Sequence, residues 1–166
     1  MNKTYLPARM DLPHTYTTVT VSLLFFFFLL GAALRGGVLW FVFGLLAVIM
    51  FISQQMSPKR YEISDTDMTI IRGWPFKNVA IPLDQVRVVR DVKLPWSTIR
   101  TGGVGGLFGS GGWFWNKEIG SFFAAFTNGH KLVFIDARRK YVISPEDPEG
   151  FIAEVSKLCS QPRNPV

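Results

Sequence analysis

Cysteine and histidine, which supply most metal ligands and many catalytic bases, are nearly absent from this sequence. The chain of 166 residues contains one cysteine and two histidines. A single cysteine excludes an intramolecular disulfide and a zinc site built from cysteine clusters, and Cys159 is expected to be a small apolar residue of a C-terminal helix. We therefore expect no metal, no cofactor and no small-molecule substrate.

Motifs for phosphate chemistry and acyl transfer are missing as well. The glycine-rich segment 102–112 lacks the Lys-Ser/Thr pair that completes a P-loop, and Gly109-Ser110-Gly111 has the wrong spacing for a nucleophile elbow. His14 lies in the N-terminal tail and His130 follows a turn, so neither has an evident catalytic partner. The acidic residues between 146 and 149 are explained by the positive end of a helix dipole. The sequence thus predicts a protein that is not an enzyme.

Basic residues are in moderate excess, with a formal net charge of +6. No basic run is longer than Arg138-Arg139-Lys140, so a nucleic-acid partner is not expected. These three side chains could contact lipid phosphates, with a solvated turn as the alternative.

Charged residues are missing altogether from two stretches, 19–34 and 38–52, which Arg35-Gly36-Gly37 separates. With uncharged flanking residues, each approaches the ~17–20 residues that cross a bilayer. One continuous helix would place Arg35 near the bilayer centre, at a cost of roughly 2.5–3.5 kcal/mol. A hairpin places Arg35 at the interface and uses both glycines in the turn. The sequence predicts a two-helix transmembrane hairpin over 17–56.

The alternatives to this hairpin are a cleaved signal peptide and a helical hairpin buried in a soluble fold. The long lead before the apolar core and the second apolar stretch argue against cleavage. Lys3 and Arg9 precede the hairpin, Arg35 lies in its turn, and Lys59 and Arg60 follow it. This distribution predicts a protein of the inner membrane with two spans, both chain ends and the soluble domain being cytoplasmic.

The remaining chain divides into an N-terminal tail (1–16), a domain (57–159) and a C-terminal tail (160–166). Short β segments separated by turns predict about seven antiparallel strands in the domain. Segment 101–112 contains too many glycines for a strand or helix interior and is expected to be a loop. Asn128-Gly129 lies between two β-rich runs, which predicts a tight hairpin that pairs 121–127 with 130–135.

A C-terminal amphipathic helix is the best-marked element of the domain. Ser144 is its predicted N-cap and Pro145 its first residue. Phe151, Ile152, Val155 and Leu158 form one apolar stripe, which we expect to cap an open end of the bent sheet.

Three segments resemble bacterial pleckstrin-homology (PH)-like domains carried behind transmembrane helices. They are Tyr61-Glu62-Ile63, then 81–86 (IPLDQV), and 140–152 (KYVISPEDPEGFI). The resemblance covers about 60–158. It implies an α+β fold in which about seven antiparallel strands form a bent sheet or partial barrel capped by a C-terminal helix.

Large aromatic and apolar side chains cluster in the predicted loops, where they could contact the membrane or a partner, or pack as local core. The candidate contact residues are Trp74, Phe76, Leu107, Phe108, Trp113, Phe114 and Trp115. The hypothesis is a membrane-anchored binding or scaffolding module for protein assembly or self-association. Two alternatives stay open, a lipid-headgroup-binding module and an accessory subunit of a membrane transporter or enzyme. Membrane lipids and a protein partner or second copy are the expected partners.

Overall fold

The computed structural model describes residues 3–160, apart from the side chain of Val104, and contains three α-helices, ten β-strands and one 3-10 turn within that range. The helices are α1 (Leu12–Arg35), α2 (Val38–Met56) and α3 (Pro148–Ser160), and the 3-10 turn is Leu83–Gln85. The strands are β1 (Lys3–Tyr5), β2 (Pro58–Ile63), β3 (Asp67–Arg72), β4 (Val79–Pro82), β5 (Val88–Asp91), β6 (Ile99–Gly105), β7 (Ser110–Asn116), β8 (Gly120–Phe126), β9 (Val133–Asp136) and β10 (Lys140–Ile143).

Helices α1 and α2 form a hairpin, as the sequence predicts. Gly36 and Gly37 join them with φ angles of 66° and 63°, which glycine adopts without a steric penalty. Ala32 is buried between the helices, and the rings of Phe25 and Phe43 lie 4.7 Å apart. Both helices are long and apolar enough to cross a membrane, and most of their large apolar side chains are exposed.

Residues 3–8, predicted to belong to a tail, are part of the domain. Strand β1 pairs antiparallel with β2, so that Tyr5 lies opposite Tyr61. Further along, the Ala8 N–H donates to the Ser144 carbonyl (2.8 Å), and α1 already begins at Leu12. Strand β1 is short and pairs with a strand far away in sequence, so a few alternating side chains are its only local signal. For this reason the sequence predicted a tail here. Residues 161–166 of the predicted C-terminal tail lie outside the described residues.

Two sheets form the domain. One has the order β1-β2-β3-β4 and is antiparallel throughout, and the other has the order β5-β9-β10-β8-β7-β6. In the second sheet β10 runs parallel to β8, so the expectation of purely antiparallel strands is wrong for this pair. The sheets are open and do not close into a barrel, and α3 covers one end. The predicted fold class, a PH-like bent sheet with a C-terminal helix, is confirmed.

The central strands of the larger sheet are buried on both faces. On one face the core joins the two sheets and α3, with Tyr61, Ile135 and Phe151 fully buried. On the other face a second cluster includes Phe122 and Phe134, and it is covered in part by the connection 92–98 between β5 and β6. Because β5 and β6 are the opposite edges of this sheet, that connection has to cross the whole face.

The hairpin predicted at Asn128-Gly129 does not form. Strands β8 and β9 are not paired with each other, because β10 lies between them. The Asn128 side-chain oxygen accepts hydrogen bonds from the N–H groups of His130 (2.8 Å) and Lys131 (3.2 Å). The two residues therefore begin a wider loop between β8 and β9. This loop leaves room for β10, which follows later in the chain and lies between the two strands.

The glycine-rich segment forms strands and not the predicted loop. β6 and β7 pair over Ile99–Gly105 and Ser110–Asn116, with Gly103 opposite Gly112. A Cβ atom on Gly103 would lie 2.3 Å from the Gly111 carbonyl oxygen, and both Gly103 and Gly112 have positive φ. The glycines permit a close approach of the two strands. Composition alone does not reveal this structural role.

Helix α3 begins later than the predicted N-cap implies. Ser144 is fully buried, and its hydroxyl accepts hydrogen bonds from the backbone N–H groups of Thr127 (2.9 Å) and Asn128 (3.4 Å). The helix starts at Pro148, where the Asp147 carboxylate accepts from the Gly150 N–H at 3.0 Å. Ser144 and Asp147 are both residues of the N-cap type, and each is followed by a proline. The sequence pattern therefore predicts a helix start at either position, and the helix uses the second.

Candidate binding surface

Strand β7 presents two tryptophans on the outside of the domain. Its side chains alternate between buried and exposed, so that Phe114 joins the second core cluster while Trp113 and Trp115 are 41% and 42% exposed. Ile99 lies directly opposite Trp115 on β6 and is also exposed. Residues opposite each other in an antiparallel pair share a face. Trp113, Trp115 and Ile99 thus form one apolar surface, which we call the tryptophan strip.

An aromatic row begins at Trp113 and crosses the sheet. The register places Trp113 opposite Phe123 of β8, and Phe123 opposite Tyr141 of β10. The Trp113 and Phe123 rings meet edge to face with centroids 5.7 Å apart, and Phe123 and Tyr141 do so at 6.3 Å. Phe123 is buried in the core that joins the two sheets, so this row connects the exposed ring of Trp113 to that core.

Two arginines lie against these rings. The Arg72 guanidinium, at the end of β3, lies 5.5 Å from the Phe123 centroid and 5.9 Å from that of Phe76. The Arg139 guanidinium, in the turn between β9 and β10, lies 5.7 Å from the Trp113 centroid. All three distances fit cation–π contact. Arg72, Phe76, Trp113 and Arg139 form what we call the basic–aromatic patch.

The electrostatics of the patch follow from partial burial. Burial lowers the pKa of Arg72 from its ordinary value, because loss of solvent disfavours the charged form. Burial also raises the pKa of Tyr141, and the neighbouring charge of Arg139 partly opposes that effect. None of the ion pairs within residues 3–160 involves Arg72 or Arg139. The patch therefore holds two positive charges that no carboxylate there neutralises.

The patch lies beside the end of the helical hairpin. The Gly73 N–H, next to Arg72, donates to the Gln55 carbonyl in the last turn of α2 at 2.9 Å. On β7, a Cβ atom at Gly111 would lie 2.8 Å from the Met56 carbonyl oxygen. Both strands that carry the patch thus contact the last residues of α2.

The tip of the β6–β7 hairpin is clamped between the two helices. The Phe108 N–H donates to the Thr18 hydroxyl of α1 at 3.0 Å, and the Ser57 hydroxyl donates to the Phe108 carbonyl at 2.9 Å. Phe108 has a positive φ of 56°. The predicted contact residues Leu107 and Phe108 are only partly exposed and lie at this junction.

The other predicted contact residues are spread over different places. Trp74 is 81% exposed in the loop after β3, close to Phe76. Arg138 lines a separate cavity with Asp84 and Arg87, and the Lys140 ammonium donates to the Ile119 carbonyl at 2.5 Å. Of the predicted basic run, only Arg139 therefore lies in the patch.

Sequence reasoning missed Arg72, the most buried cation of the patch. The available signal was an arginine that directly follows the alternating strand 68–71 and precedes Gly73 and Trp74. A charged residue at the end of a half-buried strand next to aromatic residues is a candidate for stacking, but its ring partner Phe123 is distant in sequence.

A buried polar network joins the start of α1 to β7, and it was also missed. Asp11 caps α1, and its Oδ1 lies 2.5 Å from His14 Nδ1, while His14 Nε2 lies 3.2 Å from the Ser110 hydroxyl. Asp11 Oδ2 accepts from the Gly129 N–H at 2.7 Å. Burial alone would raise the pKa of Asp11, but the hydrogen bonds from Gly129 and His14 lower it below its ordinary value. The network fixes α1 to the domain.

In the part of the chain that the structure describes, no group of three or more His, Cys, Asp or Glu side chains could hold a metal ion. Residues 3–160 instead define a class of protein: a PH-like domain carried on two helices that are long and apolar enough to cross a membrane.

Comparison with family models assigns that domain directly. A model described as a bacterial PH domain matches residues 59–159, and the chain belongs to this family. Neither the curated proteins nor the solved structures contain a significant match.

Proposed function

We propose that this protein is a membrane-anchored scaffolding module that binds a protein partner or a second copy of itself through the tryptophan strip. The observation that carries the proposal is the exposure of Trp113, Trp115 and Ile99 on one face of a sheet whose core is otherwise complete. Exposed apolar groups that adjoin one another mark interaction surfaces, and tryptophan is enriched among the residues that dominate binding energy.

The two helices anchor the module in the bilayer. Most of their large apolar side chains have no protein covering within residues 3–160, and lipid supplies that covering. The distribution of Lys3, Arg9, Lys59 and Arg60 against Arg35 alone favours a cytoplasmic domain. Anchoring restricts the module to two dimensions, which raises its effective concentration toward partners in the same membrane.

The test compares the full chain with variants of the strip after extraction from membranes in mild detergent. Trp115→Ser combined with Ile99→Ser should lose self-association, measured by light scattering during gel filtration, or lose the co-purifying partner, identified by mass spectrometry. Trp96→Ser is the matched control, since Trp96 is fully exposed on the 92–98 connection. If the strip variant keeps every association that the unchanged chain shows, the strip is not the interface.

A further inference from the structure

Strand β6 is the longest of the four strands that lie at the edges of the two sheets. It has seven residues, whereas β1 has three and β4 and β5 have four each. β4 ends in Pro82 and β5 ends in Arg90-Asp91, and proline and charged side chains protect an edge against further pairing. β6 (IRTGGVG) contains neither proline nor lysine, and three of its residues are glycines. Among these four edges, β6 is the least protected.

The outer side of β6 is open to solvent. Ile99, Arg100, Thr101 and Gly103 are all exposed. About half of the N–H and C=O groups of an edge strand point away from its neighbour, and within residues 3–160 the backbone of β6 is hydrogen-bonded to β7 alone. A register shift between Arg100 and Gly102 bends the strand, and an added segment has to follow that bend. Unpaired groups of this kind accept an extended segment as an additional strand.

The two faces of β6 determine which side chains such a segment should carry. Ile99 lies opposite Trp115 on the face of the tryptophan strip, whereas Arg100 lies opposite Phe114 on the other face. Successive side chains of a strand point to opposite faces, and residues of neighbouring strands that share a face contact one another. An added strand therefore places every second side chain beside Ile99 and the others on the face of Arg100.

Arg100 is an exposed cation that no carboxylate within residues 3–160 pairs with. Its side chain lies along β6, so that a Cβ atom on Gly105 would be 2.5 Å from Arg100 Nη1. An opposite charge on a neighbouring strand stabilises the pairing of the two strands, so a carboxylate on this face is favoured. A second copy of β6 brings no carboxylate, since the strand has no acidic residue. In a symmetric antiparallel pair both Arg100 side chains would lie on the same face and repel each other.

We propose that β6 binds an extended segment of a partner protein as an added strand, and that this segment alternates apolar residues beside Ile99 with acidic residues facing Arg100. The inference rests on the proposed function, because it names the partner of the same surface and the way in which that partner binds. The added segment becomes a seventh strand of the larger sheet, which has six strands of its own, and its apolar residues extend the tryptophan strip.

The experiment measures amide hydrogen exchange of the full chain in a neutral detergent by mass spectrometry. The probe is a peptide of the length of β6, blocked at both ends, in which valine and glutamate alternate, and the same peptide with lysine in place of glutamate is its control. Arg100→Glu reverses the charge at the edge, and Lys117→Glu makes the same change at an exposed turn residue outside β6. Exchange without peptide is also compared at low and high protein concentration.

At a glutamate-peptide concentration about ten times the Kd, the outward-facing amides within 99–105 should exchange about tenfold more slowly, while those of the central strand β8 stay unchanged. Arg100→Glu should weaken binding of the glutamate peptide about fivefold and favour the lysine peptide, and Lys117→Glu should do neither. No binding of the glutamate peptide, binding without protection of 99–105, or an unchanged charge preference in Arg100→Glu would each overturn the proposal. Protection of 99–105 that rises with protein concentration alone would also overturn it, because a second copy would then occupy the edge.

The strip variant, Trp115→Ser with Ile99→Ser, distinguishes a failure of this inference from a failure of the proposed function. If that variant loses its partner or its self-association while the glutamate peptide leaves 99–105 of the unchanged chain unprotected, the strip is an interface and strand addition is wrong. If the peptide protects 99–105 while the variant keeps every association, strand addition is supported and the strip is not the surface that carries the proposed function.

Discussion

At the scale of single residues, Phe151 holds the two sheets and α3 together. It is fully buried, and its ring contacts those of Tyr5 and Tyr61 edge to face, with centroids 5.2 and 6.4 Å away. One side chain therefore connects the C-terminal helix, the first strand of the chain and the first strand after the hairpin. The apolar stripe that includes Phe151 predicted its burial, whereas the contact with Tyr5 could not be foreseen, because the N-terminal residues lack a recognisable strand pattern.

Replacing Phe151 with alanine should lower the free energy of unfolding by about 3–5 kcal/mol, the usual cost of removing a buried aromatic ring. Chemical denaturation of the full chain in detergent, followed by the near-ultraviolet signal, measures this change. Ser156→Ala, at an exposed position of the same helix, should change stability by less than about 0.5 kcal/mol. Equal effects of the two substitutions would show that Phe151 is not a core residue.

Asp11 should stabilise the protein at neutral pH and lose that effect in acid. Its pKa is lowered in the folded state, so its contribution is complete above the unfolded value of about 3.9 and disappears as the pH falls through the folded value. Asp11→Asn should cost about 1–3 kcal/mol at pH 7, since it weakens hydrogen bonds to a charged group. Unfolding curves at pH 7 and pH 3 should show the difference narrowing in acid. A pH-independent cost of Asp11→Asn would refute the linkage.

At the scale of elements, the β6–β7 hairpin connects the domain to both helices. Its strands approach closely at Gly103 and Gly112, and its tip is hydrogen-bonded to Thr18 and Ser57 through Phe108. The glycines thus position the tryptophan strip relative to the two apolar helices. The segment that was expected to be a loop instead pairs as two strands, and their tip is hydrogen-bonded to Thr18 of α1 and to Ser57 at the end of α2.

Gly103→Ala should destabilise the protein by about 1–3 kcal/mol, because the added Cβ atom meets the Gly111 carbonyl and the backbone has a φ of 103°. Gly102→Ala is a matched control one residue away, since its Cβ atom would have nothing within 4 Å. Thermal unfolding of both variants in the same detergent compares them. If Gly102→Ala were as unstable as Gly103→Ala, the glycines would be required for chain flexibility and not for the close approach of the two strands.

The elements that the sequence predicted correctly are those whose signal is local. The helical hairpin around Gly36-Gly37 and the apolar stripe on α3 each depend on residues close together in the chain. Pairing across the sheet is not local, and so Asn128-Gly129 indicated a turn without showing that β10 would take the place beside β8. For the same reason the sequence identified only part of the basic–aromatic patch. Phe76, Trp113 and Arg139 were among the predicted contact residues, but Arg72 and the ring of Phe123, which contacts both Arg72 and Trp113, were not.

At the scale of the whole molecule, the N-terminal strand and the domain form one folded unit on the same end of the helical hairpin. β1 pairs with β2, and the network of Asp11, His14 and Ser110 fixes the beginning of α1 to β7. If both helices cross the membrane, the chain must leave and return on the same side. The arrangement gives the domain, which has no long linker to α2, a fixed position relative to the two helices.

The measurement that tests this account most directly is the labelling of single cysteines with a membrane-impermeant maleimide. The three proteins carry native Cys159, Thr4→Cys with Cys159→Ser, or Arg35→Cys with Cys159→Ser, and all three positions are exposed. In inverted inner-membrane vesicles, the account predicts that Cys159 and the cysteine at position 4 are labelled while the one at position 35 is protected. Intact spheroplasts should give the reverse pattern. Labelling of positions 4 and 159 from opposite sides, or of all three from one side, would contradict the two-span hairpin on which the account depends.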